Sequence, residues 1–202
     1  MLINPKKFKK VILVGWDYDL VHELNKNKIR IIGYTSNSKK NEKFDYLGSI
    51  KNLKKLNTNV GLLLTDSDIK LKKLVYKKYK KQICTFISKK AIVPNLKNLG
   101  LGAIIQSNVF LSDNSKIGLC VKVNVGSQIH HDSTVGDFSI LGPKVVILGN
   151  NEIGKECFIG SGSIIKNKLK IANNSFIGMG SVVTKNTLKN KKYFGNPARI
   201  FD

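Results

Sequence analysis

The chain has 202 residues and a formal net charge of +22, from 35 Lys and Arg against 13 Asp and Glu. That length admits one large or two small domains, and the three cysteines, Cys84, Cys120 and Cys157, are odd in number and lack metal-ligand spacing, which argues against a disulfide framework. No apolar run approaches the roughly 18 residues of a spanning helix, and residues 1–5 are too short for a signal-peptide core, so the expectation is a soluble, cytoplasmic protein. The positive field favours anionic partners such as phosphate-bearing cofactors or nucleotide sugars. A nucleic-acid surface would gather basic and aromatic residues on one face. Here the basic residues are spread along the chain, with modest clusters at 6–10 and 77–81, and the aromatics are scattered, so no nucleic acid is expected.

Residues 10–15, Lys-Val-Ile-Leu-Val-Gly, read as a buried strand ending in a turn. Residues 17–27 read as a helix with Leu20, Val21 and Leu24 on one face and Asp17 or Asp19 as its cap. A second apolar run covers 29–34, and residues 45–49 open a loop into a short basic helix near 50–56. Residues 60–64 form a third strand, and 66–81 a Lys-rich amphipathic helix with Ile69, Leu71, Leu74 and Val75 available to pack. Residues 83–87 form a fourth strand. Strand, helix and strand, twice over, imply a small parallel α/β sheet ending near residue 88.

Beyond it a new rule takes over. From Val93 to Val183 every sixth residue is Val, Leu or Ile, sixteen positions without a slip. A period of six is neither helical nor that of a flat strand. It fits a chain that turns a corner every six residues and points one aliphatic side chain inward per hexad. Three hexads make one triangular coil, so Val93, Leu111, Ile129, Ile147, Ile165 and Val183 stack as one inner ladder. Two places before the inner residue the side chain is mostly small, as at Ser127, Ser133, Ser139 and Cys157. Glycine often follows the inner residue, as at Gly100, Gly118, Gly142, Gly160 and Gly178, where it would supply the positive φ of a sharp turn. About five such coils form a parallel β-helix, each covering its neighbour.

The hexads, with the ending Phe194-Gly195-Asn196-Pro197-Ala198-Arg199, resemble the hexapeptide-repeat acyltransferases, whose fold is a left-handed parallel β-helix and whose tail reads Gly-Asn-Pro-Ala-Lys/Arg. With its first half included, the chain resembles the sugar acetyltransferases that carry a small Rossmann-like domain before the β-helix: the sialic acid O-acetyltransferases and UDP-4-amino-sugar N-acetyltransferases. The resemblance implies an α/β Rossmann-like subdomain for the acceptor over residues 1–88. It implies an all-β left-handed parallel β-helix with a C-terminal tail, residues 89–202, for catalysis and acetyl-CoA. The implied activity is O- or N-acetyl transfer from acetyl-CoA to a sugar, without a metal, by a homotrimer. Where the family has a Gly-rich loop, this chain has Gly15-Trp16-Asp17-Tyr18-Asp19, with one glycine left and two carboxylates where a pyrophosphate would lie. Gly15, Trp16 and Asp17, with His130, are the residues the resemblance assigns to the substrate.

Transfer from a thioester needs a base for the acceptor's proton, a donor for the oxyanion and a groove for coenzyme A. The histidines are His22, on the first helix, and the pair His130-His131, which follows inner residue Ile129 at a corner. His131 aligns with the family's catalytic base, and Asp132 with the acidic neighbour that polarises it. Gly149 lies three hexads on from His131, where a missing side chain would leave room for acceptor and thioester. The pair of histidines is too few for the three-His zinc site of the γ-class carbonic anhydrases, which share the fold. Where many relatives have a second histidine, this chain has Ile140. For acetyl-CoA the resemblance points to the late-coil segments Gly160-Ser161-Gly162 and Gly178-Met179-Gly180-Ser181, with Lys185, Pro197 and Arg199 near the tail. A longer acyl donor, or a non-catalytic basic scaffold, are the alternatives.

Overall fold

The structure, a computed structural model, describes residues 2–3, 8, 10–50 and 59–201. The chain divides into two units, residues 1–86 and 87–202.

In the first unit three parallel strands lie in the order β3-β2-β4: β2 (Lys10–Val14), β3 (Arg30–Thr35) and β4 (Val60–Leu64). A short strand β1 (Leu2–Ile3) pairs antiparallel with β5 (Thr85–Ile87) through Leu2↔Phe86 and Ile3↔Thr85. The fourth strand of the expected sheet is reduced beside β4 to the single bridge Leu62↔Ile83. The apolar run of β2 is continuous because it is central and buried on both faces. Helix α1 (Tyr18–Lys26) buries Leu20, Val21 and Leu24, and Asp17 is its cap, accepting from the Leu20 N–H at 3.0 Å. Helix α2 (Ile69–Tyr79) departs from expectation. Its packed stripe runs through Lys72 and Val75, three positions apart, and this turns Leu74 to solvent at 52% exposure. Lys72 is fully buried, its four-carbon stem filling a place an aliphatic residue would take. The basic helix expected near 50–56 falls outside the described residues except for Ile50, which is buried.

The second unit is a left-handed parallel β-helix. Its two-residue strands stack on three faces: Ile104–Ile105, Lys122–Val123, Ile140–Leu141, Phe158–Ile159 and Phe176–Ile177 on one; Phe110–Leu111, Gln128–Ile129, Val146–Ile147, Ile164–Ile165 and Val182–Val183 on the next; Lys116–Ile117, Thr134–Val135, Glu152–Ile153 and Lys170–Ile171 on the third. The register is three hexads throughout, as in Leu111↔Ile129, Ile129↔Ile147 and Ile147↔Ile165. Every inner residue from Ile105 to Val183 is at most 3% exposed, and each such burial contributes roughly 1.5–3 kcal/mol. Val93 and Leu99 are only half-buried, because their coil pairs with the next through single bridges, Ile92↔Phe110 and Leu99↔Ile117.

The corners correct one expectation. Positive φ falls three places after the inner residue, at Asn108, Asn114, Cys120, Gly126, Asp132 and onward, and not at the glycines directly after it. Those glycines answer to crowding instead: a methyl group on Gly142 would sit 2.7 Å from the Ser161 backbone nitrogen of the next coil. The small residues two places before the inner position form a hydroxyl relay that the period alone does not reveal. Ser133 Oγ donates to Leu148 O at 2.8 Å and accepts from Asn151 N at 3.0 Å. Ser139 does the same with Gly154 O and Cys157 N, so each serine satisfies two buried backbone groups of the coil above. After the last coil, Lys192–Phe194 and Arg199–Phe201 form an antiparallel hairpin.

Candidate active site

His131 occupies the corner between strands Gln128–Ile129 and Thr134–Val135. Its ring is fixed from two sides. Nδ1 lies 2.9 Å from Asp132 Oδ2, and since a carboxylate only accepts, Nδ1 carries a proton, so in the neutral imidazole the lone pair is on Nε2. Asp132 is held in turn by Asn114 one coil below, whose Nδ2 donates to Oδ1 at 3.2 Å. The His131 contact first, and the Asn114 bond second, hold the Asp132 carboxyl below the usual range. From the coil above, Gly149 supports the imidazole: a methyl group there would stand 2.5 Å from Nε2 and 2.6 Å from Cε1. The open space expected over Gly149 is therefore filled by the ring itself. The side chain is 59% exposed, so Nε2 remains within reach of a solute. His130 is half-buried, and its ring lies 5.9 Å from that of Phe110.

Beside this corner a groove of about 530 Å³ follows the stack Asp132, Asn150, Lys168 and Asn186, and is walled by Thr134, Glu152 and Lys170. Lys185 is exposed and holds the His131 position of the corner three coils on.

The glycine-serine segments stand on another edge of the prism, between the face of Phe158–Ile159 and that of Ile164–Ile165. One chain does not bring them to His131. Ser161, Gly162 and Gly180 are exposed, and a Cβ on Gly162 or Gly180 would meet nothing within 4 Å. Gly160, Gly178 and Ser181 are buried. Gly178 lies under the Phe194 ring, and Ser181 Oγ accepts from Gly195 N at 3.2 Å, which ties the tail to the last coil. Pro197 and Arg199 are exposed in the terminal hairpin.

No protein-family model matches the chain, and no curated protein matches it. Solved structures do. The acetyltransferase domain of PglB from Neisseria gonorrhoeae, solved also with acetyl coenzyme A, is 17% identical with a TM-score of 0.86, over 96% of this chain and 99% of that one. PerB from Caulobacter crescentus, in complex with CoA and GDP-perosamine, is 20% identical at 0.84, over 96% and 97%. WeeI from Acinetobacter baumannii is 20% identical at 0.80, over 96% and 100%. This chain has their fold.

The first unit carries the other residues that the resemblance assigns to the substrate. Gly15, at φ +95°, donates to Thr35 O at 2.9 Å and leaves no room for a side chain, since Asp66 N would be 2.6 Å from a Cβ. Trp16 packs on Tyr34 at 4.6 Å and on Tyr18 and Phe44. Asp17 is buried against the start of α1, so its carboxylate does not stand out toward a pyrophosphate as the sequence implied. None of the three lines a cavity of about 220 Å³ in this unit, whose described walls are Thr35, Ser36, Asn37, Ser49, Ile50, Asp66, Asp68 and Leu71. Sequence reasoning missed these residues; their signal is position, since Thr35 and Asp66 end or follow parallel strands, where ligands of open α/β sheets bind. His22 is exposed on α1. Among the described residues no group of three or more His, Cys, Asp or Glu could hold a metal, and no helix is long and apolar enough to cross a membrane.

Proposed function

We propose that the protein is an acetyl-CoA-dependent acetyltransferase that modifies a sugar, with His131 as general base. The observation that carries this is the imidazole held between Asp132 and Gly149 with Nε2 free at an exposed corner. In this reading His131 Nε2 takes the proton of the acceptor hydroxyl or amine as it attacks the acetyl carbonyl. A bond forms between acceptor and acetyl carbon, the carbon–sulfur bond breaks, and the imidazolium returns its proton to the departing thiolate. Asp132 keeps Nδ1 protonated and steadies the imidazolium. Transfer is direct. Cys84, Cys120 and Cys157 are all buried, and burial pushes the Cys84 thiol up to about 12 and that of Cys157 to about 11, so none serves as an acyl carrier.

The exposed backbone of Ser161, Gly162 and Gly180 fits a long, thin pantetheine, with Lys185 and Arg199 as partners for its phosphates. Because that edge and the His131 edge are separate in one chain, a second copy completes the site, and closure around a triangular prism favours a homotrimer. The similarity to an acetyltransferase domain solved with acetyl coenzyme A and to a protein solved with CoA and GDP-perosamine supports the same reading. We place the enzyme in the cytoplasm, in surface glycan assembly. Thiol release from acetyl-CoA, measured over amino-sugar and sialic-acid acceptors, tests it. His131→Ala should lower kcat by ~10²–10⁴ and leave acetyl-CoA affinity nearly unchanged, with His130→Ala milder. Retention of more than about half the activity in His131→Ala would overturn the assignment.

A further inference from the structure

We propose that the exposed face of α2 is a docking surface for an anionic lipid bilayer, held at the headgroups. This goes beyond the acetyl-transfer reading and rests on none of it. From Ile69 to Gln82 seven residues are Lys and none is Asp or Glu. The helix packs through Lys72 and Val75, and the opposite face carries Lys70, Lys73, Leu74, Lys77 and Lys78, all exposed. Their spacing, i, i+3, i+4, i+7 and i+8, is that of one helix face, so the charges follow a single line of about 12 Å. Lys80 and Lys81 are exposed in the turn that comes next.

Helix stability does not account for this face. Lys77 and Lys78, in the last turn, suit the carbonyl end of the helix dipole. Lys70 stands in the first turn, where the dipole opposes a cation and α2 itself has no acidic residue. Lys70 and Lys73 are three positions apart and Lys73 and Lys77 four, and like charges at that spacing repel. Among the described residues Lys70, Lys77, Lys78, Lys80 and Lys81 form no ion pair. An anionic surface laid along the face would turn this repulsion into attraction.

The middle of the face points to the kind of anion. Leu74, 52% exposed, stands among these lysines. Tyr76 and Tyr79 are half-buried beneath ammonium groups, with Lys80 Nζ 5.8 Å from the Tyr76 ring and Lys78 Nζ 5.0 Å from that of Tyr79. A nucleic-acid backbone would meet the ammonium groups and leave Leu74 without an apolar partner. A bilayer offers phosphates to the lysines and, just beneath them, acyl chains to Leu74, and lysine stems and tyrosine rings suit that boundary. With one leucine to bury, the attraction is chiefly electrostatic, so binding is reversible and salt-sensitive.

Co-sedimentation of the full chain with vesicles tests this, using phosphatidylcholine alone and phosphatidylcholine with about one-third phosphatidylglycerol. The mixed vesicles should bind at least about tenfold more tightly, and raising salt from about 50 to about 300 mM should remove most of that difference. A lysine near an anionic surface is worth about fivefold, so Lys70→Gln, Lys77→Gln and Lys78→Gln together should weaken binding about 10²-fold. Glutamine is a good helix former, and circular dichroism should show the triple variant folded. The same loss of charge on the β-helix, at exposed Lys116, Lys144 and Lys166, should cost less than about fivefold. Leu74→Gln should weaken vesicle binding about fivefold and leave binding to a short DNA duplex unchanged. The wild-type comparison of the two vesicles decides the matter even if a variant fails to fold. Equal binding to both vesicles, an equal loss in the β-helix triple, a duplex held more tightly than the mixed vesicles, or vesicle binding unchanged in folded Leu74→Gln would each overturn the proposal. His131→Ala should bind vesicles like the wild type, so a failure here leaves the acetyl-transfer reading standing, and the reverse also holds.

Discussion

In the β-helix a side chain's surroundings follow from its place in the hexad, whereas in the α/β unit they follow from whichever element lies against it. Ile105 and Ile177 stand on the first and last strands of one face of the prism, yet each points inward and neither is exposed at all. In α2, by contrast, Leu74 faces solvent and Lys72 is buried. The periodic unit repeats one solution, so a departure from the pattern marks a site: His131 and Gly149 break the run of ordinary corner residues and meet each other. The other unit has no pattern to depart from, and its cavity shows only when the ends of β3 and β4 are placed together.

The largest effect should come from testing that contrast directly. Ile147→Ala removes a side chain that is fully buried between Ile129 and Ile165, and should cost about 2–5 kcal/mol. Leu74→Ala, in the exposed position of α2, should stay within about 0.5 kcal/mol. Thermal and urea denaturation followed by circular dichroism compares the two, and equal losses would mean that the hexad carries no special weight.

A second pair of substitutions separates fold from chemistry inside the β-helix. Gly142→Ala drives a methyl group into the Ser161 backbone at 2.7 Å, which cannot yield, so melting should fall. The atoms nearest a methyl group on Gly149 are those of the His131 ring, which can swing away. The fold should survive while kcat falls by ~10², within the range of a lost general base. An active Gly149→Ala would show that the ring need not rest where it does.

The inner ladder was legible because one aliphatic residue in six is a rule that composition cannot hide. The corner was legible in part. Gly149 was visible by counting three hexads from His131, but a count does not tell whether the space it leaves holds a ligand or the histidine. Likewise Gly160 and Gly178 announce a tight place, yet only coordinates show that crowding, not φ, requires them. In the first unit the three parallel strands and the cap of α1 were readable from apolar runs and from Asp17, while the Asp68 cap of α2 and Thr35 were not, because a buried threonine at a strand end looks like any β-branched residue.

Thiol chemistry gives a smaller effect. Burial raises Cys84 and Cys157 to about 12 and about 11, so little thiolate exists at neutral pH. Iodoacetamide should label the native protein at least ~10²-fold more slowly than the urea-unfolded chain, and treated enzyme should retain its acetyl-transfer rate. Rapid labelling with loss of activity would revive a covalent acyl carrier.

The smallest effect concerns Asp132. Its carboxyl is exposed, and its pKa is lowered chiefly by the His131 hydrogen bond and next by that of Asn114. With the folded value below the unfolded one, near 3.9, the unfolded chain binds more protons in the interval between them. The stabilisation is therefore complete above about pH 4 and is lost as pH falls through the lowered folded value. Asp132→Asn removes it, so wild type and variant should differ slightly in melting temperature at pH 6 and converge in stronger acid. In the proposed mechanism the same substitution also loosens the base. An amide can accept from Nδ1–H or turn and donate to Nδ1, so the reactive tautomer is no longer enforced. The fall in kcat should be about tenfold, well short of that in His131→Ala, because the ring still rests on Gly149. A loss as large as that of His131→Ala would mean that Asp132 takes part in proton transfer and does more than orient the imidazole.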